Sequence, residues 1–249
     1  MRYFFRVEYD GSKFGGWQRQ PNAISIQEVL EGALKVALRS PMEITGAGRT
    51  DAGVHARAQA VHFDYDKSIN EKKLQLSLNA LLPPEIAVYN LSQVNPLFHA
   101  RFSASSRQYK YYFCFRKQPL YAKRVWMIYS DVDWDTVRGN CEYLLGTHDF
   151  STFCASGAGS DNMVCTVKRA DFQNSDEYLV FTIEADRFIY KMVRSIVGTL
   201  VDIGRGRFRT TIADIIASKD RSRAGLTAPP FGLVLEKVNY PKDLLNENL

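Results

Sequence analysis

The stretch Gly46–Ala56, "GAGRTDAGVHA", decides how the rest of the chain is read. Three glycines and three alanines surround Arg49, Thr50, Asp51 and His55. Glycine lets a backbone turn sharply and lets a ligand come close. Side chains this small build no core of their own. An arginine and a carboxylate two residues apart in such a segment have two readings. One is a tight turn with a surface ion pair, which adds little stability. The other is a charged site. A neighbouring arginine favours the ionised form of a carboxylate. An ionised aspartate can attack an electrophilic carbon or take a proton as general base.

Several familiar chemistries fail on the same residues. No GxxxxGK followed by Ser or Thr is present, so there is no Walker A loop. "GAGRTD" starts like a dinucleotide fingerprint, but Asp51 stands where the third glycine belongs and would repel a pyrophosphate. An aspartic protease would need Asp-Thr-Gly twice. His55 and His62 are seven residues apart with no third metal ligand beside them, so no metal is expected. No GxSxG elbow supports a serine triad. Cys114, Cys141, Cys154 and Cys165 form no CxxC pair and have no zinc spacing to a histidine. A reducing, cytoplasmic setting is the expectation. No signal peptide and no membrane-spanning run is read from the chain.

Composition narrows the partner. The net charge of +5 over 249 residues is mild. Its distribution says more, because basic residues recur beside aromatics. They do so in "RFSASSRQYKYYFCFRK" (101–117), "DRFIYKMVR" (186–194) and "GRGRFR" (204–209). Positive charge interleaved with stacking surface suits a nucleic acid. Solvated faces also carry such residues, so the pattern alone leaves both readings open.

Working outward from the loop, "AQAVHFDYD" (58–66) reads as a strand, as do Tyr3–Tyr9 and "IAVYNLSQV" (86–94). Ser25 with Glu28 predicts a capped helix, with Ile26, Val29, Leu30, Ala33, Leu34 and Ala37 on one face. Ser68 with Glu71 predicts a second helix that turns Leu74, Leu78, Leu81 and Leu82 inward and stops at Pro83-Pro84. In the second half, strands are expected at "SRQYKYYFCFR" (106–116), 164–173, 178–186 and 233–238. Helices are expected at 131–146, 188–204 and 212–217. "ASGAGSDNMV" (155–164) reads as a mobile loop. Each half thus supplies strands and helices. The fold class is α+β, with two similar halves, 1–104 and 105–249, whose antiparallel sheets carry helices on one face.

At this point five segments, in order, resemble the tRNA pseudouridine synthase A family. They are "VEYDGSKFGGWQRQ" (7–20), "AGRTDAGVHA" (47–56), "FHARFSASSRQYKYY" (98–112), "FIYKMVRSIVGTLVDIG" (188–204) and "AGLTAPPFGLVLEKV" (224–238). The resemblance covers essentially the whole chain, with 120–160 its least telling part. It implies the pseudouridine synthase fold, with an active-site cleft between the halves. It implies isomerisation of uridine to pseudouridine at tRNA positions 38, 39 and 40 in the anticodon arm. It implies no cofactor, and a homodimer. Asp51 matches the family's catalytic aspartate, the nucleophile; attack on C1′ and removal of a sugar proton both remain open. Tyr109 matches its active-site tyrosine, although on residues alone a core aromatic sharing a face with Tyr111 and Phe113 is the simpler reading. Arg194 matches the basic residue of the third motif and is expected to pair with Asp51. Leu233 matches an apolar residue lining the base pocket. Arg49 is assigned to substrate contact, and His55 and Arg57 to support of the loop or the RNA. Lys13, Arg101, Arg107 and Lys110 are candidates for phosphate contacts. The competing readings are a tRNA-binding protein without chemistry, and a two-carboxylate hydrolase in which Asp10 would be the second acid.

Overall fold

The computed structural model describes residues 1–155, 162–175 and 177–245. Residues 156–161, the middle of the expected mobile loop, lie outside the described residues. The chain forms two compact units: Met1–Ser106 with the stretch from Val234 onward, and Arg107–Leu233. The expected second half, 105–249, includes the last strand; that strand instead belongs to the first unit.

The first unit holds β1 (Arg2–Tyr9), α1 (Ile26–Leu38), β2 (Thr45–Gly46), β3 (His55–Asp64), α2 (Glu71–Leu81) and β4 (Ile86–Val94). The second holds β5 (Ser106–Cys114), β6 (Trp126–Met127), α3 (Trp134–Asn140), β7 (Gly146–Asp149), β8 (Val164–Asn174), β9 (Leu179–Ala185), α4 (Met192–Gly204) and α5 (Ile212–Ser218). The chain then returns to the first unit through β10 (Leu233–Asn239).

In the first unit the strands run β4-β1-β3-β10, with β2 paired to β3. β1 lies antiparallel to β3 and β4. β10 lies parallel to β3, a departure from the all-antiparallel expectation. Side chains alternate across a strand. Tyr3, Phe5, Val7 and Tyr9 are accordingly all buried on one face of β1. On the other face Phe4 is buried, Arg6 half-buried and Glu8 exposed. That second face opens toward the C-terminal end of β1. Ser25 caps α1 as expected, its hydroxyl accepting the Glu28 N–H at 3.2 Å.

α2 departs from the expectation in two ways. Its cap is Asn70 rather than Ser68, the Asn70 Oδ1 accepting from the Lys73 N–H at 2.9 Å. An N-cap serves the amide two or three residues on, and a helix beginning at Glu71 leaves Ser68 outside that reach. Leu74, Leu78 and Leu82 are buried, but Leu81, the last helical residue, is exposed. α2 also covers the outer edge of β4. Glu71 Oε1 accepts the Gln93 N–H at 2.5 Å and Gln75 Oε1 the Leu91 N–H at 3.0 Å. Asn79 Oδ1 accepts the Val88 N–H at 2.7 Å while its Nδ2 donates to the Val88 carbonyl at 2.8 Å. Four helical residues advance about 6 Å, and two strand residues about 6.6 Å. The two ladders therefore stay in phase. Between Val88 and Leu91 the strand gains one residue at a bulge, where Asn90 takes a left-handed φ of 51°.

In the second unit the strands run β5-β9-β8-β7, antiparallel throughout, with the short β6 parallel to β5. The expected helix at 131–146 is shorter: α3 covers seven residues, a 3-10 turn follows, and Gly146 turns the chain into β7. α4 begins at Met192 rather than Phe188, because Lys191 before it has a left-handed φ of 59°. Every residue of α4 except Arg194 is buried, as a helix that is apolar nearly all round requires.

His62, on β3, is buried, and its Nδ1 accepts the Ala100 N–H at 3.1 Å. Burial pushes its pKa down to about 4, the charges of Arg2 and His99 push the same way, and Asp64 opposes them. A folded-state pKa below the usual 6.5 means that the fold prefers the neutral ring. The stability from neutral His62 is full above about pH 6.5 and is lost as pH falls toward 4. We expect the melting temperature to drop over that window. His62→Gln, which keeps an acceptor without a titrating ring, is expected to flatten the drop in a thermal-melt series from pH 7 to pH 4; an unchanged acid limb would remove His62 as its cause.

Candidate active site

The glycine-rich loop joins β2 to β3. Its small residues have separate jobs. Gly53 takes a φ of +78°, the left-handed turn that delivers the chain into β3. Gly46 makes room for protein rather than ligand: a Cβ there would meet the Trp17 ring at 2.6 Å. Thr50 is buried and held from two sides. Its hydroxyl shares a 2.7 Å hydrogen bond with the Tyr9 phenol, and its carbonyl accepts the Trp17 N–H at 3.0 Å. Gln59 Nε2 donates to the Gly48 carbonyl at 2.7 Å, and the Ala47 N–H reaches the Ala60 carbonyl at 2.8 Å. The Val54 N–H closes the turn onto the Asp51 carbonyl at 3.1 Å. The backbone on both sides of Asp51 is thereby fixed while its side chain stays half-exposed.

The other candidates of the first unit sort by exposure. Arg49 is exposed, and its Nε donates to Gln18 Oε1 at 3.1 Å. His55 is buried; its Nδ1 accepts the Gly11 N–H at 3.1 Å and lies 3.2 Å from Asp10 Oδ1. Asp10 also caps the short turn after β1, taking the Ser12 N–H at 3.0 Å. It therefore also serves as scaffold for the loop, while its side chain keeps about a quarter of its surface in water. Arg57 is exposed, its Nε 3.5 Å from Glu236 Oε2. Lys13 is paired with Glu85. Arg101 lies over the Phe102 ring, 5.5 Å from its centroid.

In the second unit β5 sets Tyr109, Tyr111 and Phe113 on one face. Tyr111 and Phe113 are fully buried; Tyr109 is half-exposed at the end of this stripe. Its ring meets Phe188 edge-to-face at 5.2 Å. That face is core at Tyr111 and Phe113 and accessible at Tyr109. Arg107 Nη1 donates to the Asp186 carbonyl at 2.8 Å, and Lys110 pairs with Thr182 across β5 and β9.

Arg194 is fixed reciprocally to Ala228. Its Nε donates to the Ala228 carbonyl at 2.9 Å, and its own carbonyl accepts the Ala228 N–H at 3.0 Å. The same segment is tied farther down α4. Thr199 Oγ1 accepts the Gly225 N–H at 2.9 Å and Asp202 Oδ2 the Leu226 N–H at 3.3 Å. Beyond it, the Tyr111 hydroxyl donates to the Pro229 carbonyl at 2.8 Å. Burial pushes the Tyr111 phenol well up, with Arg194 pulling against it. Residues 224–230 thus join α4 to β5 and lead directly into Leu233, which is buried. Sequence reasoning missed Tyr9, Trp17, Gln59 and Phe188. Tyr9, Trp17 and Phe188 all lie inside quoted motifs, but nothing in spacing alone marks them as partners of the site. Among the described residues no group of three His, Cys, Asp or Glu could hold a metal.

Comparison with known proteins places this arrangement. Residues 6–103 and 141–241 match the sequence model of a family described as tRNA pseudouridine synthase. Tyr109, Arg107 and Lys110 fall in the stretch between the matched segments. The tRNA pseudouridine synthase A of Bacteroides thetaiotaomicron is 40% identical over 251 residues, 99% of this chain and 93% of that protein. That of Parabacteroides distasonis is 41% identical over 245 residues, 98% of this chain and 97% of that protein. That of Aeromonas hydrophila is 42% identical over 247 residues, 98% of this chain and 92% of that protein. With a locked aspartate loop in one unit, an arginine and an accessible tyrosine in the other, and this likeness over nearly its full length, the chain belongs to the tRNA pseudouridine synthase family.

Proposed function

We propose that this chain isomerises uridine to pseudouridine in tRNA, at positions 38 to 40 of the anticodon arm, with Asp51 as the nucleophile. The observation that carries this reading is the loop itself. Its backbone is anchored through Thr50, Gly48 and Val54, and the one carboxylate it presents is half-exposed. A carboxylate held that firmly suits attack on a positioned sugar carbon.

The reaction breaks the bond from N1 of uracil to C1′ and makes one from C5 to C1′. N1 gains a proton and C5 loses one, so no redox partner is required. Between the two bonds the uracil must be held while it turns. Tyr109, accessible and braced by Phe188, supplies a ring for stacking. Enzymes that act on a base in a helix flip it out and stack it in this way. Arg194, the one accessible residue of a buried helix, supplies fixed positive charge to the reacting nucleotide. Leu233 supplies apolar wall for the base. Arg49, Arg57, Arg101, Arg107 and Lys110 contribute to substrate contact, and His55 supports the loop. We further propose a cytoplasmic homodimer sharing tRNA between subunits. Among the described residues no helix is long and apolar enough to cross a membrane.

Three outcomes test this reading. With an unmodified tRNA transcript tritiated at C5 of uridine, the native protein is expected to release tritium into water, and Asp51→Ala to give only background. Free uracil in place of tritium release would instead mark a hydrolase, and bound tRNA with no release from either protein would mark a binding module. Tyr9→Phe removes the phenol that holds Thr50. Small displacements of catalytic groups can cost up to about 100-fold in rate, so turnover is expected to fall about 10- to 100-fold with tRNA affinity within about twofold of native. A turnover rate equal to native would show that the Thr50 anchor does not position Asp51. Sedimentation at working concentration is expected to return twice the 28.3 kDa chain mass; a monomer that is fully active would overturn the dimer.

A further inference from the structure

The loop between β4 and β5 holds large apolar side chains in water: Leu97 is 81% exposed and Phe102 76%. Its backbone, however, is anchored from several directions. Arg2 Nη1 donates to the Phe98 carbonyl at 2.6 Å, and the Tyr240 hydroxyl to the Ala100 carbonyl at 2.6 Å. His62 Nδ1 takes the Ala100 N–H. His99 Nδ1 accepts the N–H groups of Arg101 and Phe102 at 3.1 and 3.2 Å, and the Ser103 hydroxyl takes the His99 N–H at 2.9 Å. Phe98, fully buried, packs on Phe4 and Tyr240 at 5.4 and 4.9 Å. The exposed rings therefore belong to a rigid part of the unit.

The rings form a column. His62 lies 4.8 Å from His99 with planes 59° apart, and His99 lies 4.4 Å from Phe102 with planes 31° apart. The guanidinium of Arg101 sits 5.5 Å from the Phe102 centroid. Burial and nearby arginines lower the pKa values of both histidines, so the column is a neutral π surface with the exposed Arg101 guanidinium lying over its outer ring. That pairing matches a nucleotide: a base stacks on the ring and the phosphate meets the arginine. Bases inside a continuous helix are already stacked on both faces, so the occupant is an unpaired one. His62 and His55 stand seven residues apart on β3, which spans roughly 23 Å. His62 is thus a strand's length from the His55 end of β3, where the turn after Asp51 closes, and the column serves a different nucleotide from the one that reacts.

We propose that Phe102, lying against His99 and under the Arg101 guanidinium, is a docking platform for an unpaired nucleobase of the substrate RNA. This rests on the reading of tRNA as substrate. It makes Phe102 a binding residue whose loss weakens association and leaves the chemical step alone. Base–aromatic stacking lost on alanine substitution corresponds to about 5- to 150-fold in affinity.

The test uses the full chain and an unmodified tRNA transcript. Phe102→Ala and Phe102→Trp are compared with native for affinity by filter binding, for single-turnover tritium release at saturating tRNA, and for mass by sedimentation. The expected result is at least about fivefold weaker binding for Phe102→Ala, recovery toward native for Phe102→Trp, a saturated rate within about twofold of native, and unchanged mass. An exposed side chain adds little to the core, so both variants are expected to fold, and equal melting temperatures check that. Native affinity for Phe102→Ala would overturn the platform. So would weaker binding accompanied by a fall in mass, which would assign the patch to a contact between copies of the chain. Native protein that binds tRNA but releases no tritium would sink the isomerase reading and leave the platform standing on its affinity data.

Discussion

One buried hydrogen bond, between the Tyr9 phenol and the Thr50 hydroxyl, ties the sheet of the first unit to the loop that carries Asp51. Both partners are out of water, and a buried hydroxyl left unpaired costs about 1–3 kcal/mol. The loop is therefore held to β1 from across the fold, in addition to the burial of its own Ala47, Val54 and Ala56. Trp17 completes the arrangement by using both its ring, against Gly46, and its amide, on Thr50. Residues 7–20 and 47–56 are thus one structural object.

The second unit solves the same problem with different parts. There the reactive candidates sit on regular elements, and residues 224–230 strap those elements together. Arg194 is held at both its side chain and its carbonyl by Ala228, and Tyr111 holds Pro229. An arginine with its Nε already committed presents the rest of its guanidinium in one orientation. That limits the rotamer freedom that a flexible cation would lose on meeting a substrate.

Periodicity made most of the fold legible. The alternation in β1 and the apolar faces of α1 and α4 read directly from the residues because burial there follows strand and helix geometry. What failed were ends. Lys191 and Asn90 adopt left-handed backbone that no hydrophobic pattern encodes. The cap of α2 moved from Ser68 to Asn70 because both residues can cap and only the helix start decides between them. β2, β6 and β7 were invisible because strands of two to four residues are too short to show alternation. For the site, Asp51 and Arg194 stood out in the sequence, but chiefly through resemblance. Tyr9, Gln59 and Phe188 did not, since a residue that holds another is defined by a contact across the fold.

The ladder that α2 lays along β4 has a consequence for how chains of this kind can vary. Its three rungs, from Glu71, Gln75 and Asn79, depend on helix and strand keeping step. Adding or removing one residue within either element would rotate or shift every later rung at once. The short connection at 82–85 is where a length change would leave all three rungs in step. The same rungs also occupy the outward amides of β4, so this rim of the sheet offers no template on which a misfolded neighbour could zip up a new strand.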